Sequence, residues 1–281
     1  MNQPIPDDPA AGPQGPYTHR ASVVIPCRNA ASYIRRTLDS AVTSVLVHAA
    51  HGPDPASAFR IVTVDDGSSD GTSDRIADFA ATSPVGITIL RNPENRGVSA
   101  SRNAGAAQGR PQYLLFLDDD DEFLPDHVGS CVHGLDSSPE AGFVRTGVEL
   151  ADPVHPSWYA AIRNTLVINL CVRIECHRFI GGFSPDPNLR TLQVEDALYS
   201  SLLFDTFQNR MTDHVTVRYH RRPGNAFDRQ YARFSQPPEA NITALTPEEE
   251  RVYPLVFGRH ERAAFLNRHR TDVLKRCFQP A

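Results

Sequence analysis

The strongest constraint in this chain is a short apolar run, Tyr113-Leu114-Leu115-Phe116-Leu117, that ends abruptly in four aspartates, Asp118 to Asp121. The run has the length of a strand, and its apolar residues do not alternate with polar ones. A strand of that kind is buried on both faces, as in a parallel sheet covered by helices. Four carboxylates cannot follow it into a core, because burying an unpaired charge is very costly. They belong at the carboxyl edge of the sheet, where open α/β sheets bind ligands. Clustered there they repel one another unless a cation joins them, and hard oxygen ligands favour magnesium, manganese or calcium. A solvated acidic loop or an acid-rich helix start would read the same way in isolation.

The segments around this run give it a context. Ala21 to Ile25 is a first buried strand stopped by Pro26. Ile34, Leu38, Ala41, Val42, Val45 and Leu46 follow at helical spacing, with Ser32 as the expected N-cap. Phe59 to Val64 is a second strand running into an Asp/Gly/Ser loop, and Thr72 is the expected cap of the next helix. Gly86 to Leu90 is a third strand, followed by a small-residue helix from Val98 to Ala107. Strand and helix in this rhythm imply right-handed crossovers and a parallel sheet. Loops at Pro26 to Asn29, Asp65 to Asp70 and Asp118 to Asp121 then converge on one edge.

Further along, Val128, Cys131, Val132 and Leu135 predict a short helix after Pro125. Ala141 to Leu150 and Thr165 to Ile174 read as apolar, strand-like segments, with Asp152 to Tyr159 between them as a loop. A helix is expected from Val194 to Phe207 and a half-buried strand from His214 to Tyr219. Pro247 to Cys277 reads as two basic, amphipathic helical segments. Residues 1–20, rich in Pro, Gly and Asp, read as a disordered leader.

Composition excludes several classes. A net charge of −5 over 281 residues gives no reason to expect nucleic acid as a partner. No apolar stretch approaches the roughly 20 residues that span a bilayer, and no secretory signal is visible. The five cysteines are scattered, without metal-ligand or disulfide spacing. A cytoplasmic setting with reduced, buried thiols is the expectation.

The first strand does not run into G-x-G-x-x-G, and no G-x-x-x-x-G-K-[ST] loop is present. Four other motifs stand in order: Ser22-Val-Val-Ile-Pro-Cys-Arg-Asn29, Val64-Asp-Asp-Gly-Ser-Ser-Asp-Gly-Thr72, Asn95-Arg-Gly-Val-Ser-Ala-Ser-Arg-Asn-Ala-Gly105 and Phe116-Leu-Asp-Asp-Asp-Asp121. Together they closely resemble the family-2 glycosyltransferases of the GT-A fold. The resemblance is strong from Ala21 to Asp126 and looser to Asn225. It implies a Rossmann-like, mostly parallel central sheet flanked by helices, with a helical C-terminal extension on the acceptor side. It also implies a UDP-sugar donor, a divalent metal (manganese or magnesium) and inversion at the anomeric carbon.

Carried over position by position, the resemblance sets Pro26 and Arg28 at the nucleobase pocket and Asp66 on the uracil. An acceptor-only carboxylate suits the imide N–H there. Asp65 is expected to fix the loop. Arg102 and Asn103 match a pair near base and ribose, although Arg102 suits a structural salt bridge equally. Asp118 would contact the ribose, Asp120 the metal, and Asp121 would support the metal. Asp119 fills the motif's variable slot and joins the donor-binding set without an assigned role. Gly181-Gly182-Phe183 followed by Glu195-Asp196 resembles the acceptor-side motif, with Gly182 and Glu195 on the acceptor side and Asp196 as general base. Tyr219-His220-Arg221-Arg222 resembles the loop that closes on the diphosphate, with Arg222 on the departing phosphate and His220 on metal or phosphate. There the order of His and Arg departs from the family pattern.

The implied organisation is a glycosyltransferase domain over 21–225, with a nucleotide-sugar half at 21–122, an acceptor half at 151–225 and a helical extension at 226–281. The acceptor is unknown: a saccharide, lipid, small molecule or peptide. Basic residues of the extension, including Arg259, Arg262, Arg268 and Arg276, are candidates for a peripheral membrane or homo-oligomer contact. Two alternatives remain open: a protein that holds a nucleotide sugar without transferring it, and a sugar-phosphate nucleotidyltransferase. The second lacks the glycine-rich, basic triphosphate loop it needs after the first strand.

Overall fold

The computed structural model of the chain describes residues 15–150, 156–222 and 246–258, with 261 and 264 besides. Strand β1 (His19–Cys27) is fully buried from Ala21 onward. It starts inside the segment expected to be a disordered leader. Tyr17 donates to Glu175 Oε1 at 2.9 Å, and Arg20 pairs with Asp54 at 3.1 Å and with Asp136. Residues 15–20 are therefore tied into the fold, while 1–14 lie outside the described residues.

Helix α1 (Ile34–His51) buries Ile34, Leu38, Ala41, Val42 and Val45, the stripe its spacing predicts. Its N-cap is Tyr33, not Ser32, and no side chain caps it. Strand β2 (Phe59–Asp66) leads to α2 (Thr72–Thr82), capped by Gly71; the Thr72 hydroxyl instead accepts from the Ala30 N–H at 2.8 Å. Strand β3 (Ile87–Asn92), helix α3 (Val98–Ala106) and strand β4 (Pro111–Phe116) complete the first half. β1 pairs in parallel with β2 and β4, and β2 with β3. All four strand ends therefore open on one edge.

The two-sided burial expected of β4 is realised. Tyr113, Leu115 and Leu117 enter one core with Leu38 of α1, and Leu114 and Phe116 enter a second on the opposite side. Alternate side chains point to opposite faces, so one strand serves both cores. The α3 side of the sheet needs close approach. A Cβ on Gly105 would overlap Val24 Cγ1 and lie 3.3 Å from Val64 Cγ2.

The second half breaks the parallel pattern. The two-residue strand β5 (Glu122–Phe123) leads to α4 (His127–Asp136), which buries Val128, Cys131, Val132 and Leu135 as expected. Strand β6 (Phe143–Leu150) is followed by α5 (Pro156–Thr165), so the part of the expected loop from Pro156 to Tyr159 is helical. Proline suits a first helical turn because its missing N–H is unneeded there; 151–155 lie outside the described residues. Strand β7 (Leu170–Arg173), helices α6 (Ile174–Phe179), α7 (Pro187–Leu192) and α8 (Glu195–Thr206), and strand β8 (Asn209–Tyr219) follow. The sheet order is β3-β2-β1-β4-β7-β6-β8-β5. β7 is antiparallel to β4 and β6, β8 is parallel to β6, and β5 is antiparallel to β8.

Helix α9 (Pro247–Phe257) departs from the expected basic segment. It opens with Glu248, Glu249 and Glu250, favourable at a positive helix end, and Thr246 and Glu249 form a capping box. Its Val252 and Val256 join the core that holds Leu198 and Leu202 of α8. The basic residues expected to reach a membrane or second copy, from Arg259 to Arg276, lie outside the described residues. Among the described residues no helix is long and apolar enough to cross a membrane.

Gly105→Ala is expected to destabilise the fold by about 1–3 kcal/mol in urea unfolding, the usual cost of overpacking. Val24→Ala in the same chain should recover part of the loss; full stability of the single variant would show that α3 has room to move.

Candidate functional site

The β1–α1 and β2–α2 loops are sewn together by short polar contacts. Asn29, in the left-handed region at φ 50°, donates its N–H to Ser68 Oγ and accepts from the Ser69 N–H, each at 3.0 Å. The Ala31 N–H reaches Asp70 Oδ2 at 3.0 Å. Asp65 accepts from the Ser68 N–H at 2.9 Å and from the Ser73 hydroxyl, the loop-fixing role expected of it. Asp66 is buried as well. It accepts from Asn92 Nδ2 at 2.7 Å and from the N–H groups of Arg96 and Gly97, each at 2.8 Å. It thereby fixes the turn before α3 and still lines the cleft.

The four acids leave β4 in a tight turn, with the Asp121 N–H donating to Asp118 O at 3.1 Å. Helix α1 holds the turn from behind: Arg36 Nη2 reaches Asp120 O at 2.6 Å and Thr37 Oγ1 reaches Asp121 O at 2.9 Å. Asp119 accepts from the Arg28 N–H at 2.9 Å. Arg222 bears on this end, 3.5 Å from Asp119 and 3.8 Å from Asp120, with its guanidinium 5.2 Å above the Tyr33 ring. The acids are crowded. Burial and then the Asp120 charge push Asp119 up to about 7; burial and then the Asp118 charge push Asp120 up to about 6. Asp121, fully buried, is raised well above the usual carboxylate range by burial first.

Pairing of β5 with β8 brings the chain after Tyr219 beside the acids. The His220 N–H donates to Asp121 Oδ1 at 2.7 Å, while its imidazole engages Glu122 at 2.6 Å. Asp121 Oδ2 is buried and has no hydrogen-bond partner among the described residues.

Arg102, on α3, joins these acids to the other side of the cleft. Its guanidinium donates to Asp118 Oδ1 at 2.7 Å and to Glu195 Oε1 at 3.2 Å, and lies 5.0 Å above the Phe183 ring. Burial lowers its pKa, but Asp118 and Glu195 together raise it above the ordinary arginine value. Asn103 does not face the cleft. Its amide makes two bonds of 2.8 Å to Phe183, one to the carbonyl and one from the N–H. The turn before Phe183 depends on Gly181 and Gly182, at φ 84° and 69° in the left-handed region that glycine adopts most readily. Glu195 and Asp196 open α8. Asp196 accepts from the Ala197 N–H at 2.7 Å; burial and then Glu195 push it up to about 7, against the pull of Arg102.

One cleft of about 1020 Å³ gathers Pro26, Arg28, Asp66, Arg102, Asp118 to Asp121, Glu195, Asp196 and Arg222. Gly182 and His220, both expected at the site, do not line it: His220 holds Asp121, which does, and Gly182 shapes the turn into Phe183, whose ring lies beneath Arg102. Two features escaped the sequence. Arg190 of α7 lines the cleft and binds Asn95 Oδ1 at 2.7 Å, tying the acceptor half to the turn before α3. Helix α9 forms part of the wall. Only tertiary contact reveals either role.

The acids fit a divalent cation. Their oxygens are hard donors, burial makes their unneutralised charge costly, and Asp121 Oδ2 is an orphaned buried acceptor. Among the described residues no three His, Cys, Asp or Glu side chains gather to hold a metal by themselves. That sparse set suits magnesium or manganese held by one or two carboxylates plus substrate phosphates.

A parallel-strand half with acids at its carboxyl edge, facing an acidic helix start across a shared cleft, is the arrangement of the GT-A fold. The chain belongs to glycosyl transferase family 2, whose model matches residues 22–185. It is 27% identical over 199 residues to TuaG, a candidate teichuronic acid biosynthesis glycosyltransferase of Bacillus subtilis (strain 168), covering 65% of this chain and 71% of that one. It is 28% identical over 123 residues to an uncharacterized glycosyltransferase of Haemophilus influenzae, covering 44% of this chain. The match spans 37% of that relative, and only 14% of GlyA of Streptococcus pneumoniae. Among solved structures, S. aureus TarS 1–349 with UDP-GlcNAc superposes with a TM-score of 0.62 at 17% identity, covering 92% of this chain and 72% of that one. The mannosyltransferase PcManGT of Pyrobaculum calidifontis, with GDP-Man and Mn2+, gives 0.58 at 16% identity, covering 98% and 77%.

Asp120→Asn is expected to stabilise the metal-free protein at pH 7–8 by about 1–3 kcal/mol. The folded pKa, about 6, lies above the ordinary 3.8, so the charged form costs stability above pH 6. That cost fades as pH falls towards 4, and the gain should fade with it. Thermal unfolding across this range checks it; a gain independent of pH would point to a cause other than charge.

Proposed function

We propose that the chain is a metal-dependent, inverting hexosyltransferase that takes its sugar from a UDP-sugar. The observation that carries this reading is the single cleft in which the acids after β4 and Asp196 are linked through Arg102 and Glu195. Related folds captured with UDP-GlcNAc, and with GDP-Man and Mn2+, support the donor class. Asp66 favours uracil: three donors occupy its carboxylate, and a carboxylate has about four acceptor positions, which leaves one for an imide N–H.

In this reading Pro26, Arg28 and Asp66 border the base, and Asp118 and Asp119 flank the ribose and diphosphate. Asp120, with Asp121 in support, would hold a divalent cation that neutralises the diphosphate. Asp196 is the general base. The acceptor oxygen bonds to the anomeric carbon from the face opposite the diphosphate, and its proton passes to Asp196. The bond from that carbon to the phosphate oxygen breaks, and its electron pair leaves with UDP. Arg222 bears on the charge that develops there. Glu195 positions Asp196 by holding the start of α8 to Arg102.

UDP-sugars with manganese should each give slow UDP release, while GDP-mannose should bind more weakly than UDP-glucose. Asp196→Asn should leave UDP affinity unchanged and cut transfer by roughly 10²–10⁴, the usual contribution of a general base. With Asp196 near 7, the wild-type rate should climb with pH through about 7 and level off above it. An unimpaired variant rejects Asp196 as base. Asp120→Ala should abolish manganese-dependent UDP binding. Nucleotide-sugar binding without turnover would favour a carrier, and pyrophosphate release from UTP and a sugar phosphate a nucleotidyltransferase.

A further inference from the structure

The cleft has two ends of different chemistry. The donor end is charged. The other is walled by Ile162 of α5, by Leu166 just after it, and by Val252, Tyr253, Val256 and Phe257 of α9. Ala197, next to Asp196, lines the same cavity, so the apolar wall is continuous with the proposed catalytic centre.

Helix α9 is divided accordingly. Glu248 and Arg251 are solvated and pair with each other at 3.8 Å. Val252 and Val256 serve the core, but Tyr253 and Phe257 exceed what the core needs. Their rings lie 4.9 Å apart, and Phe257 is 57% exposed. Open aromatic surface at a cleft is unfavourable in water and marks a place where an apolar group is covered on binding. Along α5 and α9 the polar lining is confined to Thr165, Thr246, Glu249 and the Tyr253 hydroxyl. A wholly polar saccharide lying there would lose water contacts without replacing its hydrogen bonds. A hydrocarbon would lose none.

We infer that the acceptor is amphipathic, with its nucleophilic head beside Asp196 and a hydrocarbon body along α5 and α9. The orientation of the head rests on the reading of Asp196 given above; the hydrocarbon site rests on the wall. Octyl β-glucoside below its micelle concentration and methyl β-glucoside are suitable probes, since they share a head and differ in the chain. Calorimetric titration of the full chain, with and without UDP and manganese, should give at least about tenfold tighter binding of the octyl compound. Burying two methylene groups already corresponds to that ratio. Phe257→Ser, at an exposed position, should weaken octyl binding severalfold and leave UDP binding unchanged; Tyr253→Ser should add to the loss. Equal or undetectable binding of the two glucosides, or octyl binding indifferent to both substitutions, would overturn the inference. Loss of UDP binding alone, with octyl binding still dependent on Phe257, would reject the donor reading and leave the hydrocarbon site standing.

Discussion

A buried guanidinium joins the two halves of this molecule. Arg102 is 3% exposed and lies between Asp118, at the end of β4, and Glu195, at the start of α8. Arg102 and Glu195 are buried too deeply to stand unpaired, and breaking a buried pair typically costs about 3–5 kcal/mol. Because Asp196 follows Glu195 directly, the same strut that holds Asp118 also sets the proposed base. Asn103, the next residue, clamps the Phe183 backbone, and the Phe183 ring stacks on Tyr199 at 3.9 Å. Two adjacent residues on a nine-residue helix therefore register the acceptor half against the parallel sheet.

Much of the first half was legible because its signals are local. An unbroken apolar run marks β4 as doubly covered, and the Ile34 to Val45 spacing specifies the buried face of α1. Loops at the ends of parallel strands must converge, so the meeting of Arg28, Asp66 and the four acids follows from strand order. The caps were not legible in this way. Ser32 and Thr72 have the right chemistry one residue away from the real N-caps, and the Thr72 hydroxyl is committed to Ala30.

The second half depends on distant pairings. Two residues cannot announce a strand, yet β5 exists because Glu122 and Phe123 meet Arg218 and Val217. The antiparallel entry of β7 beside β4 has no local signature. Proline and tryptophan around position 156 read as a loop because their place in the first turn of α5 is set by what the helix packs upon. Asp66 was visible as an acid in a turn, but its three donors come from residues 92 to 97, so its loop-holding duty emerges only in three dimensions.

Crowding at the end of β4 links this site to the surrounding solution. Burial raises three carboxylates there, Asp119 to about 7, Asp120 to about 6 and Asp121 well above the usual carboxylate range, so the crowded acids hold protons at a higher pH than ordinary carboxylates do. Any cation entering must displace them, because the ligand form of a carboxylate is ionised. Cation uptake and proton release are then a single exchange. On the proposed reading that a divalent cation fills the cleft, its heat of binding carries the ionisation heat of whichever buffer receives those protons, and mild acidification weakens its hold.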